Sequence, residues 1–215
     1  MKTFKIDSPE RPSEAIYATA SILQSGGLVL YPTETFYALG ALPSIAEAVE
    51  RVFAIKGRDA EKALPLIASD TEAVLRVASR WPESARALAR AFWPGPLSMV
   101  IDAVSPLPSV LHARSGKIAV RVSSHPAASL LSQVSGGLIV STSANRTGRP
   151  PAKSPENIED VLLEAADALL DAGDLPGGLP STIVDVAVQP ASLIRAGKVD
   201  WRDVQRVLGR IQKCS

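Results

Sequence analysis

Two short stretches gather groups suited to phosphate. Lys56-Gly57-Arg58-Asp59-Ala60-Glu61-Lys62 places three cations within seven residues, in a chain whose formal net charge is +1. Ser141-Thr142-Ser143-Ala144-Asn145 ends an apolar run with three hydroxyls and an amide. A triphosphate carries roughly four negative charges, and Arg and Lys are its natural partners. Lys56 and Arg58 have a plainer use as well, since cations complement a helix C-terminus. Ser141, Ser143 and Asn145 could equally form a polar turn. The loop from Arg146 to Pro155 that follows carries three cations and no acid.

Two further features suit a small ligand. Pro32-Thr33-Glu34-Thr35 follows the apolar run Leu28 to Tyr31, and hydroxyls just past a strand's carboxyl end lie where open α/β sheets usually bind ligands. A turn organised by Thr33 is the simpler reading. Arg121 falls in the middle of Ile118 to Val122, an alternating strand pattern whose apolar members face the other way. A charge there needs an ion-pair partner or an anionic ligand, and a bidentate guanidinium suits a carboxylate.

The usual covalent and metal chemistries leave no mark. The chain has no G-x-x-x-x-G-K-[ST], no G-x-G-x-x-G, no G-x-S-x-G and no H-E-x-x-H. Its lone cysteine, Cys214, excludes an internal disulfide and a cysteine-built zinc site. His112 and His125 are the only histidines, and His125 precedes Pro126 at an expected helix start, a structural position. Cations, hydroxyls and turn backbone remain. They suit a reaction driven by positioning and charge neutralisation, as nucleotidyl and phosphoryl transfer are. A +1 charge and 5% aromatic residues argue against a broad nucleic-acid-binding face. No apolar run reaches the ~20 residues of a membrane helix, and no secretory leader is evident at Met1, so a cytoplasmic protein is expected.

The elements that must position these groups follow from pattern. With 215 residues, 46% hydrophobic and 21% charged, one folded domain with a modest extension is expected. Helices are predicted over 14–25, from a Ser44-x-x-Glu47 capping box to Gly57, and over 71–79, 83–92, 126–134 and 156–168, with a short one at the end of the chain. Strands are predicted over 28–31, 64–68, 97–102, 118–122, 138–141, 182–186 and 192–196. Helices and strands intermingle, so the fold class is α/β with a mixed, twisted sheet.

In order along the chain, GGLVLYPTETFYALG, KGR, FWPGPLS, IAVRVSSHP, STSANRTGRPP, STIVD and LIRAG resemble the YrdC-like family of threonylcarbamoyl-adenylate synthases. The match spans about 13–198, the expected catalytic domain, with 199–215 as a short helix and tail. The resemblance implies helices and a twisted sheet around a deep basic cavity. It implies that L-threonine, bicarbonate and ATP, with Mg²⁺, give threonylcarbamoyl-AMP and pyrophosphate. The product would feed a separate transferase that modifies adenosine 37 of tRNA. The alternative within the resemblance is a paralogue that binds RNA or nucleotide without this turnover. Carried over residue by residue, Thr35, Ile67 (through its backbone), Arg121, Ser141 and Ser181 would contact threonine. Arg58, Lys62, Lys117 (through its backbone), Ser143, Pro151 and Arg195 would contact ATP, with Asn145 beside them. Lys56 and Arg58 would be the catalytic cations. The family usually has proline where Asp59 stands. The longer family branch carries a linker and a C-terminal domain, which the short run after LIRAG does not match.

Overall fold

Two mixed sheets, rather than the single one expected, carry the strands (Fold described by a computed structural model of residues 1–6, 13–57, 63–104, 107–112 and 115–211). Arg58, Asp59, Lys62 and Cys214 lie outside the described residues. The elements in chain order are β1 (Lys2–Lys5), α1 (Glu14–Gln24), β2 (Val29–Pro32), β3 (Tyr37–Gly40), α2 (Ala46–Lys56), β4 (Leu66–Ala68), α3 (Thr71–Leu75) and α4 (Glu83–Phe92). There follow β5 (Leu97–Asp102), β6 (Lys117–Val122), α5 (Pro126–Val134), β7 (Leu138–Val140), β8 (Thr142–Ser143), α6 (Asp160–Ala165), β9 (Ala168–Asp171), β10 (Thr182–Asp185), β11 (Ser192–Arg195) and α7 (Trp201–Ile211).

One sheet runs β1-β9-β2-β3-β8 and the other β11-β10-β5-β6-β4-β7. Each contains parallel and antiparallel pairs, for example β1 with β9 and β2 with β3, or β4 with β6 and β5 with β6. Strand alternation sorts side chains between two apolar clusters. In β4, Leu66 and Ala68 enter one cluster and Ile67 the other, which α1 and α5 also supply. The larger cluster takes Leu97, Met99 and Ile101 from β5 and Ile118, Val120 and Val122 from β6. The opposite face of those strands is left to Ser98, Ala119 and Arg121, and that asymmetry creates the site.

Helix limits show where tertiary contacts overrule local pattern. α2 starts at Ala46, one residue later than a Ser44 cap would place it, and its cap residue Ile45 makes no side-chain cap bond. The Ile45 N–H bonds the Leu42 carbonyl, 3.2 Å away, in a turn that leads into the helix one residue late, and the capping box is not formed. Gly57 ends α2 in the left-handed region, φ 55°, as its type suggests. α3 stops at Leu75 because Ser79 N–H bonds the Asp102 carbonyl at 2.9 Å and Ala78 bridges to Ala103. The predicted helix over 156–168 divides into a 3-10 turn (Pro155–Asn157), α6 and the start of β9. Asp167 holds Leu28 by its backbone N–H and by its carboxylate, both at 2.8 Å, which draws this segment into the sheet. α7 packs on α4, with Val204 fully buried.

Candidate functional site

The two sheets meet around a cavity of about 220 Å³. The β2–β3 hairpin supplies one wall. Thr33 organises its tip: its Oγ1 donates to the Phe36 carbonyl at 2.7 Å and accepts the N–H groups of Thr35 and Phe36 at 3.3 Å. Thr33 therefore makes a turn, with no helix to cap, and sets Thr35 at the cavity wall.

The opposite wall is the small, polar face of the second sheet. Ser98, Ala119, Arg121 and Ile183 come from three adjacent strands, β5, β6 and β10. Arg121 is buried, and its Nε donates to Glu34 Oε1 at 2.9 Å. The other oxygen of Glu34 accepts the Ser123 hydroxyl. Glu34 is the only residue to which Arg121 is hydrogen-bonded through its side chain among the described residues, and it uses only Nε. No hydrogen bond among the described residues engages its two terminal nitrogens, and Arg121 contributes to the cavity lining. Burial pushes the Glu34 carboxyl up. The charge of Arg121 and the hydrogen bonds from Ser123 and Arg121 outweigh this and hold it below the usual carboxylate range.

A pH dependence follows. A carboxyl lowered on folding stabilises the fold above its unfolded value, and that contribution is lost as pH falls through the folded value. Urea unfolding should therefore show Glu34→Gln less stable than wild type by about 1–3 kcal/mol at neutral pH. The difference should shrink as pH falls through the carboxylate range. A difference independent of pH would mean that the ion pair is not its source.

The third side is the loop after β7. Ser141 lines the cavity, its N–H fixed to the Pro65 carbonyl at 2.8 Å. Ser143 also lines it and donates to Asn145 Oδ1. Asn145 in turn donates through Nδ2 to the carbonyls of Arg146 and Arg149. Lys56, only 3% exposed, reaches this loop from the end of α2. Its Nζ donates to the Ser143 and Asn145 carbonyls, each at 2.5 Å. The lysine of KGR and the residues of STSAN thus meet directly. Lys56 stands behind the wall as a group that shapes it, not as a lining residue.

Arg195, on edge strand β11, closes the fourth side. Its Nη2 donates to the Ser181 carbonyl at 2.7 Å and hydroxyl at 3.1 Å, and Ser181 Oγ lies 3.1 Å from Ser98 Oγ. Gly197 permits this approach. A Cβ there would collide with the Pro180 carbonyl oxygen and the Ser181 carbonyl carbon.

Of the residues the sequence singled out, Thr35, Arg121, Ser141, Ser143, Pro151, Ser181 and Arg195 share this one cavity. Asn145 adjoins it through Ser143. Ile67 is not brought to it: its side chain is fully buried in an apolar cluster and its carbonyl accepts the Ser132 hydroxyl at 3.3 Å. Lys117 is also outside the lining. It shares a strand face with Ala119 and Arg121, but its Nζ is paired with Asp185 at 3.1 Å. The described lining holds two cations, Arg121 and Arg195, and seven serines and threonines, so it is hydroxyl-rich. The basic character expected of the cavity would rest further on Arg58 and Lys62, outside the described residues. His125 caps no helix hydrogen bond; its Nδ1 is buried without a partner among the described residues, and burial lowers its pKa against the opposing charge of Glu34.

Sequence reasoning missed Glu34. The signal was present: a mid-strand arginine needs an acid, and PTET carries one beside a buried strand. It missed Ser98 because a serine inside an apolar strand reads as incidental.

Comparison with known proteins bears on this arrangement. The Sua5/YciO/YrdC family model, described as "Telomere recombination", matches residues 21–197. The chain is 33% identical over 211 residues to the threonylcarbamoyl-AMP synthase of Pyrococcus abyssi, covering 98% of this chain and 62% of that protein. It is 38% identical over 188 residues to the threonylcarbamoyl-AMP synthase of Alkalilimnicola ehrlichii, covering 86% of this chain and 97% of that protein. The crystal structure of P. abyssi Sua5 complexed with L-threonine matches with a TM-score of 0.88 at 31% identity, covering 97% of this chain and 60% of that one. The chain therefore spans less than two thirds of the length of the P. abyssi relative.

Proposed function

The chain belongs to the Sua5/YciO/YrdC family, and from that membership we propose that it is an L-threonylcarbamoyl-adenylate synthase. It joins L-threonine, bicarbonate and ATP into threonylcarbamoyl-AMP and releases pyrophosphate. The observation that carries this reading is Arg121. Its Nε is taken by Glu34, and its terminal nitrogens are left to a cavity that also holds Thr35, Ser141 and Ser181. A guanidinium fork among hydroxyls suits an amino acid that carries both a carboxylate and a hydroxyl.

The threonine amine, with carbon dioxide from bicarbonate, forms a carbamate. A carbamate oxygen attacks the α-phosphorus, and the bond to the pyrophosphate leaving group breaks. No protein nucleophile takes part. The chain binds the carboxylate through Arg121, and it orients the nucleotide through Ser143, Pro151 and Arg195, with Asn145 ordering the loop. Arg58 and Lys62 are assigned to the phosphates from the sequence, and the backbone of Lys117 to the nucleotide. Ile67 is assigned to threonine, through its backbone, from the sequence. Mg²⁺ bound with the triphosphate would supply neutralisation of its charge. The catalytic unit is assigned to 13–198, with 199–215 as a short C-terminal helix and tail, of which α7 packs against α4.

The product is an activated mixed anhydride that suits a separate transferase acting on adenosine 37 of tRNA, and the location this reading carries is the cytoplasm. No described helix is long and apolar enough to cross a membrane. Mass spectrometry after incubation with isotope-labelled bicarbonate tests the reading. A labelled threonylcarbamoyl-AMP is expected. Bound ATP without any carbamoyl adenylate would replace the synthase by a nucleotide-binding paralogue.

A further inference from the structure

Glu34 does not line the cavity, yet it touches what does. It sits at the tip of the β2–β3 hairpin, between the turn-forming Thr33 and the lining residue Thr35. Its two oxygens hold Arg121 of β6 in the other sheet, at Nε, and Ser123 just past the end of β6, by the hydroxyl. Ser123 is itself fixed, because its Oγ accepts the His125 N–H at 3.2 Å. Glu34 is therefore a clamp between the sheets, tying a hydroxyl-bearing wall to a cationic one.

Resting on the synthase reading, we infer that Glu34 is a positioning residue for the amino-acid carboxylate, acting through Arg121. By occupying Nε it turns the terminal nitrogens of the guanidinium towards the cavity. By holding the hairpin tip it sets the separation of Thr35 from Arg121. The opposing physical effect is plain: Glu34 also neutralises Arg121, so its removal strengthens the bare attraction for an anion. Orientation prevails if the bidentate geometry matters more than the charge, since a fork that can swing loses one of its two bonds.

Calorimetric titration with threonine, and separately kinetics with Mg-ATP, decides this for wild type, Glu34→Ala, Glu34→Gln and Ser123→Ala. Glu34→Ala should weaken threonine binding roughly tenfold, the value of one charge-assisted hydrogen bond, and leave the KM for ATP unchanged. Glu34→Gln, which retains an acceptor for Nε, should recover part of the loss. Ser123→Ala should weaken threonine in the same direction by less. Unchanged or tighter threonine binding in Glu34→Ala would overturn the inference, as would equal loss for both substrates. If Glu34→Ala does not fold, Ser123→Ala carries the decision. Failure of wild type to bind threonine would remove the synthase reading instead. The Arg121 Nε–H resonance then tests the clamp alone: slow exchange in wild type and fast exchange in Ser123→Ala or Glu34→Ala support it, and an unaltered resonance overturns it.

Discussion

Replacing Arg121 by alanine is expected to raise the KM for threonine about a hundredfold, the value of two charge-assisted hydrogen bonds of a bidentate pair at roughly 3 kcal/mol, with little change in the KM for ATP. The selectivity is the informative part. Arg121 shares the cavity lining with Thr35 and Ser141 and is assigned with them to threonine, whereas Ser143, Pro151 and Arg195 are assigned to the nucleotide. Arg121→Ala also strands Glu34, a largely buried carboxylate that would lose its cation, and breaking such a buried pair costs about 3–5 kcal/mol in general. Arg121→Lys separates the two effects. It keeps a cation near Glu34 and gives up the fork, so it should fold well and still bind threonine poorly. Steady-state kinetics with each substrate varied in turn makes the measurement. A rise confined to ATP would move Arg121 to the nucleotide side.

The second large effect is expected at Lys56. Its ammonium is almost wholly enclosed and holds the Ser143 and Asn145 carbonyls. Lys56→Met keeps much of the volume and removes the donor, so both carbonyls lose a charge-assisted bond in a buried setting. A cost of about 3 kcal/mol corresponds to a fall in Tm of roughly 6–12 °C for a chain of this length. The KM for ATP should rise with it, because Ser143 is then no longer held at the wall. Thermal unfolding and ATP kinetics on one variant test the pairing of these effects. A variant with wild-type Tm and no turnover would assign Lys56 to the chemistry itself, as the resemblance implied, rather than to the loop.

What could be read from the sequence was the part written in local pattern. Alternation in IAVRV placed Arg121 opposite an apolar face, and that is how β6 is built, with Ile118, Val120 and Val122 in the core. Hydroxyls after apolar runs marked Ser141, Ser143 and Thr35. Gly57 marked the end of α2. The features that escaped depend on pairing at a distance. β3 has both faces buried and so carries no alternation, and β8 is only two residues long. β9 continues an apolar stretch that a helix would also use, and only the bonds between Asp167 and Leu28 decide it. The division of strands between two sheets has no local signature. Neither has the partner of Arg121: Glu34 is 87 positions away in the chain, and the sequence offers many acids to choose from.

The proposed reaction joins an amino acid to a nucleotide through a carbamate. Pyrophosphate release with ATP, Mg²⁺, threonine and bicarbonate, each omitted in turn, tests it most directly. The account predicts release only when all are present, and its loss on omitting threonine or bicarbonate as fully as on omitting ATP. Release that continues without threonine or bicarbonate, or no release from folded protein that binds ATP, would contradict it.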